Sequence, residues 1–144
     1  MRTLFAIIVL FAFVGCGGRS SAPALPPESA KQAPLATFIT ISDTLTTAPS
    51  DTLQLGRMRS GEIVAQSVGV INNSSSPLVI TRTESSCGCT NIDYPQQPTL
   101  AGDTLRTTIE FDSHGFYGWQ FKRVQLYTSA AVSPITIYIE SEVE

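Results

Sequence analysis

The chain has 144 residues, room for one domain and little else. Its formal net charge is -3 and only 15% of its residues are charged, so it lacks the basic footprint that holds phosphates and nucleic acid is not an expected partner. Hydrophobic residues make up 42%, and beyond the N-terminus they recur as spaced Val, Ile, Leu and Phe, enough for a packed core.

The first residues read as a processing signal. Met1, Arg2 and Thr3 form a short basic start, and residues 4–14 are an uninterrupted apolar run. That run is too short for a bilayer, which takes about 20 apolar residues, but has the length of an export signal. It ends in Phe13-Val14-Gly15-Cys16, which resembles the lipobox of bacterial lipoproteins, although Phe13 stands where Leu is usual. The resemblance implies a signal peptide over residues 1–15 and lipidation, palmitate included, of Cys16 as the first mature residue. Each buried methylene of the acyl chains adds about 0.8 kcal/mol, so several chains anchor the protein durably. Gly17, rather than Asp, follows the cysteine, and no acidic run comes after it. By resemblance to lipoprotein sorting in Gram-negative bacteria, this implies an outer-membrane lipoprotein facing the periplasm.

Residues 16–36 carry Gly17-Gly18, Ser20-Ser21, Pro23, Pro26-Pro27 and Pro34 with no aromatic side chain. Such a composition buries too little apolar area to offset chain entropy, and reads as a flexible tether between lipid and domain.

From there the hydrophobic period is two. Residues 37–42 set Ile39 and Ile41 against Phe38 and Thr40, and residues 51–55 place Leu53 and Leu55 on one face. Residues 63–71 align Val64, Val68 and Val70, and end in the turn sequence Asn72-Asn73-Ser74-Ser75-Ser76-Pro77. Residues 78–81 form a short fourth segment. In residues 105–111, Leu105, Thr107, Ile109 and Phe111 alternate with Arg106, Thr108 and Glu110, the mark of a sheet with one wet side. The apolar phase changes between Phe121 and Val124, which predicts a bulge, and Ile135, Ile137, Ile139 and Val143 form the last stripe. Gly61, Pro95, Gly102, Gly115, Gly118 and Pro134 punctuate these segments. No helical stripe intervenes. The prediction is an all-β fold over residues 37–144, a single antiparallel immunoglobulin-like sandwich of about seven to nine strands.

Ser85-Ser86-Cys87-Gly88-Cys89-Thr90 lies midway along this series. Two residues apart on a strand, Cys87 and Cys89 point to one face. Three uses are open: a small-ring disulfide that is easily reduced, a thiolate pair for a soft ion such as Cu(I) or Zn, which needs further ligands, or two inert buried thiols.

The order Leu53-x-Leu55-Gly56, Gly61-Glu62-x-Val64, Asn72-Asn73 before Pro77-Leu78-Val79-Ile80, Ser86-Cys87-Gly88-Cys89-Thr90, Ala101-Gly102-Asp103 before Ile109-x-Phe111-Asp112, and Gly118-x-x-Phe121 closely resembles the bacterial family labelled domain of unknown function 1573. The resemblance spans residues 53–143. Asn73 and Ala101 depart from a Thr-Gly turn and a Pro common in the family, both in loops. The resemblance implies an immunoglobulin-like sandwich, often a lipoprotein of Bacteroidetes, and brings no established reaction.

Other candidates for chemistry are few. His114, the only histidine, follows Asp112-Ser113 in a turn and is a third-ligand candidate beside Cys87 and Cys89. A cysteine nucleophile needs an oriented base, and no signature supplies one; the Asp residues stand at turns, where they cap backbone. No enzyme and no cofactor are expected. Phe116, Tyr117 and Trp119 gather beside Gly115 and Gly118; they either fold back onto the sandwich or form a partner-binding patch. Arg57-Met58-Arg59 reads as a solvated basic turn. The expected function is a lipid-anchored periplasmic binding or scaffolding module, held to the membrane by its lipid and engaging a cell-envelope protein through loops or a sheet edge. The alternative is a metal-binding or redox protein built on Cys87 and Cys89.

Overall fold

A computed structural model describes residues 35–144; the expected signal peptide, Cys16 and the expected tether up to residue 34 lie outside the described residues. Eight strands follow one another: β1 (Leu35–Ser42), β2 (Ser50–Met58), β3 (Ile63–Asn73), β4 (Ile80–Ser85), β5 (Thr90–Asp93), β6 (Thr104–Asp112), β7 (Gly118–Thr128) and β8 (Ile135–Val143). They form two four-stranded sheets, ordered β1-β3-β6-β5 and β2-β8-β7-β4. The described residues contain no helix, so the fold is the all-β sandwich that the period of two predicts. β1 begins at Leu35, two residues ahead of the expected domain start.

Alternation along the strands builds the core. Ile137, Ile139, Leu105, Ile109, Phe111, Val68, Val70, Val124, Leu126 and Leu53 are all at most 1% exposed. Each strand thereby turns one row of side chains inward and leaves the other for solvent.

Three features depart from the expectation. First, the sheets are not wholly antiparallel: β1 pairs parallel with β3, and β2 parallel with β8. Parallel neighbours need a crossover, and here β1 reaches β3 by way of β2 in the opposite sheet. Second, β7 has no bulge between Phe121 and Val124; its ladder with β8 runs unbroken from Gly118 to Leu126. The phase change arises because Phe121 belongs to the outer row, where it is 61% exposed and stacks on Tyr138 at 5.1 Å. A register shift does occur in β2 between Gln54 and Gly56, where Gly56 takes a φ of 71° that a side chain would strain. Third, Met58 is the buried end of β2, not part of a solvated turn, and Arg57 pairs with Glu142 and Glu144 at 3.0 and 3.1 Å.

At the edge of the first sheet Thr37 Oγ1 donates to Asp51 Oδ2 of the other sheet. Phe38, opposite Gly69 in the parallel ladder, lays its ring where a Cβ on Gly69 would sit, 2.7 Å from Cδ1. The missing side chain on β3 is thus replaced by an aromatic one from β1.

Candidate functional site

The two sheets are joined between β4 and β5 by residues 86–89, which form a turn. Cys87 and Cys89 therefore lie on no strand, and their shared direction comes from a disulfide between them, Cα to Cα 5.2 Å. Of the three uses open in the sequence, the structure draws the disulfide. Neither cysteine is fully buried, although Cys89 packs against the core. The turn is held by backbone pairs on either side. Ser86 N donates to Arg123 O at 2.9 Å, Arg123 N donates back to Ser86 Oγ at 2.9 Å, and Asp112 N donates to Cys89 O at 2.9 Å. Thr90 Oγ1 stands 3.5 Å from Cys87 Sγ and 3.9 Å from Cys89 Sγ.

So short a loop contributes little as a constraint. Closing three residues removes only about 1.6 kcal/mol from the denatured ensemble in the chain-entropy description, against about 3 kcal/mol for a 15-residue loop. Replacing both cysteines by Ala should therefore lower stability by no more than about 2 kcal/mol, read as a small shift in the urea midpoint with an unchanged slope.

His114 occupies the exposed β6–β7 turn, its backbone N–H donating to Asp112 Oδ1 at 2.9 Å and its ring lying beside Gly61 of the β2–β3 turn. Among the described residues no three His, Cys, Asp or Glu side chains are grouped to hold a metal ion. With the sulfurs joined, neither is the thiolate that Cu(I) or zinc takes up. The described donors do not fit the proposed three-ligand site.

The aromatic residues divide. Phe116 folds inward, its ring 5.9 Å from Phe111 with Lys122 Nζ 4.3 Å above it, so it anchors the turn and offers little surface. Tyr117 and Trp119 are 74% and 73% exposed. Buried Ser113 fixes the base of the same turn, its one hydroxyl proton shared between Arg59 O at 2.7 Å and Glu62 O at 2.8 Å. On the outer face of the second sheet, Trp119 pairs opposite Glu142 and Phe121 opposite Glu140. Trp119, Phe121 and Tyr138 make an aromatic stripe with an acidic border, and Arg123 stands opposite Tyr138. Sequence reasoning did not include Phe121, because its phase was read as a bulge instead of an outward row.

No curated protein matches this sequence. Among solved structures, the chain is similar to the secreted serine protease VesC from Vibrio cholerae at 10% identity and a TM-score of 0.49, over 62% of this chain and 21% of that one. It thus spans about a fifth of that protein. It is also similar to PbICP-C, solved in complex with falcipain-2, at 14% identity and a TM-score of 0.40, over 75% of this chain and 99% of that one. Residues 46–143, from before β2 to the end of β8, match the family described as Protein of unknown function (DUF1573), and the chain belongs to that family.

Proposed function

We propose that this domain is a non-catalytic binding module, displayed from the outer membrane into the periplasm by lipid on Cys16, that engages a cell-envelope protein through the aromatic stripe of β7 and β8. The observation that carries this reading is the exposure of three large rings within five residues, Tyr117 in the turn before β7 and Trp119 and Phe121 on its outer row, at 74%, 73% and 61%. A soluble domain gains nothing in stability from rings left in water, whereas clustered aromatic side chains beside Arg are what interface hot spots are made of. The underlying sheet is rigid and the turn is tied down through Phe116 and Ser113, so little ordering is needed on binding.

A photoreactive residue at Trp119 in living cells should give a discrete protein adduct, and one at Gln97, on the loop after β5, should not. Tyr117→Ala and Phe121→Ala should each weaken that interaction tenfold or more while moving stability by no more than about 0.5 kcal/mol. Equal labelling from both positions, or full binding by the two variants, overturns the reading.

A further inference from the structure

We propose that Cys87–Cys89 is a thiol–disulfide exchange site whose substrate is a protein dithiol carried in basic surroundings. The assignment is independent of the aromatic stripe. It rests on a disulfide that is incompletely buried, spans only Gly88, and opens onto a shallow groove. That groove, about 220 Å³, is lined by Ile63, Gly88, Cys89, Asn91, Glu110 and Asp112. It lies on the outer face of the first sheet, where Ile63 stands opposite Asp112 and Asn91 opposite Glu110. Ile63 is 65% exposed and gives an approaching chain an apolar contact beside the sulfur.

The turn is suited to exchange. The Ser86–Arg123 pair and the Asp112 N to Cys89 O bond hold both ends of residues 86–89 without the S–S bond. The sulfurs of the reduced form therefore stay neighbours. A thiolate of the partner enters the groove and attacks Cys89 Sγ. The S–S bond breaks, and its electron pair leaves on Cys87 Sγ, which accepts a hydrogen bond from the Thr90 hydroxyl, at 3.5 Å in the oxidised form, and takes a proton from water. The partner's second thiolate then attacks its own sulfur in the mixed disulfide and releases Cys89 as a thiolate, which is protonated in turn. The partner's dithiol has become a disulfide, losing two electrons and two protons, and the domain holds both as two thiols.

Selectivity comes from the groove wall. Glu110 and Asp112 repel an anionic thiol and attract one flanked by Lys or Arg.

The test uses the full chain purified in detergent, with cysteamine and 3-mercaptopropionate as probes and alkylation with mass measurement as the readout. Both thiols should open the disulfide completely and reversibly with the circular dichroism unchanged. Per thiolate, cysteamine should react about tenfold faster at low salt, and 1 M salt should reduce the ratio to about twofold. Glu110→Gln with Asp112→Asn should do the same at low salt, and Thr90→Val should slow both probes and leave their ratio alone. Cys87→Ser, given cystamine in place of the thiols, should form a mixed disulfide on Cys89 and release one cysteamine. A disulfide that opens only when the domain unfolds, or equal rates for the two probes in the natural chain, overturns the assignment; the salt comparison needs no variant and stands if a substituted chain does not fold.

Discussion

Asn72→Asp should cost about 3–5 kcal/mol, the range for stranding an unpaired charge inside a protein, although the two side chains have nearly the same shape. Asn72 is fully buried at the end of β3 and ties three segments together. Its Nδ2 donates to Ser76 O and Thr99 O, both at 2.9 Å, and its Oδ1 accepts from Ser74 N at 3.2 Å and Ser74 Oγ at 2.6 Å. Its backbone N–H donates to Asp103 O at 2.9 Å, and its carbonyl accepts from Gly102 N at 2.7 Å. A carboxylate in that place turns two donors into an acceptor facing two carbonyl oxygens. It must either stay charged among them or take up a proton, and then it still satisfies only one. Burial raises the folded-state pKa of such an Asp above its unfolded value, so the folded state binds the proton more tightly. The penalty grows as pH rises through that interval and shrinks on acidification. Asn72→Ala avoids the charge and leaves the same carbonyls unpaired, which places its cost lower, at about 1–3 kcal/mol. Urea midpoints at two pH values check both claims. A domain holding about 5–15 kcal/mol in total should lose a large part of it to Asn72→Asp; a shift below about 1 kcal/mol shows that the network does not hold this end of the sandwich.

Asn72 also marks how far the chain alone can be read. Period two revealed β6 and β8 nearly to the residue, because their inner rows are continuous and each outer row is polar. The same rule set Ile39 with Ile41 and Val68 with Val70 on common faces, which are the buried ones. It missed β5, whose four residues are too few to display a period and follow directly on a turn. It misassigned Phe121, since an aromatic residue on an outer row looks like a shift of phase when the neighbouring strand is unknown. The parallel edges were hidden for the same reason: pairing is nonlocal, and nothing within β1 says that β3 lies beside it. Asn72 was legible as a turn residue, whereas it lies within β3, and its burial depends on a loop 27 residues away in sequence, at Thr99. For the cysteines, spacing left disulfide, metal and buried thiols open. The choice among them depended on the backbone, which places residues 86–89 in a turn and turns His114 toward Gly61.

Phe111→Ala should be about as costly, at about 3–5 kcal/mol through lost burial and the cavity left behind, and its effect should reach both candidate surfaces. Phe111 is among the largest fully buried side chains, at 1% exposure. It stands opposite Val64 on one side of β6 and Thr90 on the other. Thr90 begins β5 and carries the hydroxyl beside the disulfide, while the ring of Phe116, 5.9 Å from that of Phe111, seats the turn that carries Tyr117 and leads into β7 at Trp119. One inward ring thus supports the exchange turn from within one sheet and the aromatic turn at the end of the sandwich. Removing it should raise amide hydrogen exchange in β5 and in residues 113–118 more than in β8, whose Ile137 and Ile139 retain their strand ladders with β2 and β7. Phe111→Leu keeps most of the volume and should cost less, about 1–1.5 kcal/mol, with little change in either segment. Uniform acceleration across all strands in Phe111→Ala would instead mean that the core opens as one unit, leaving Phe111 as a contributor to global stability with no local hold on the two turns.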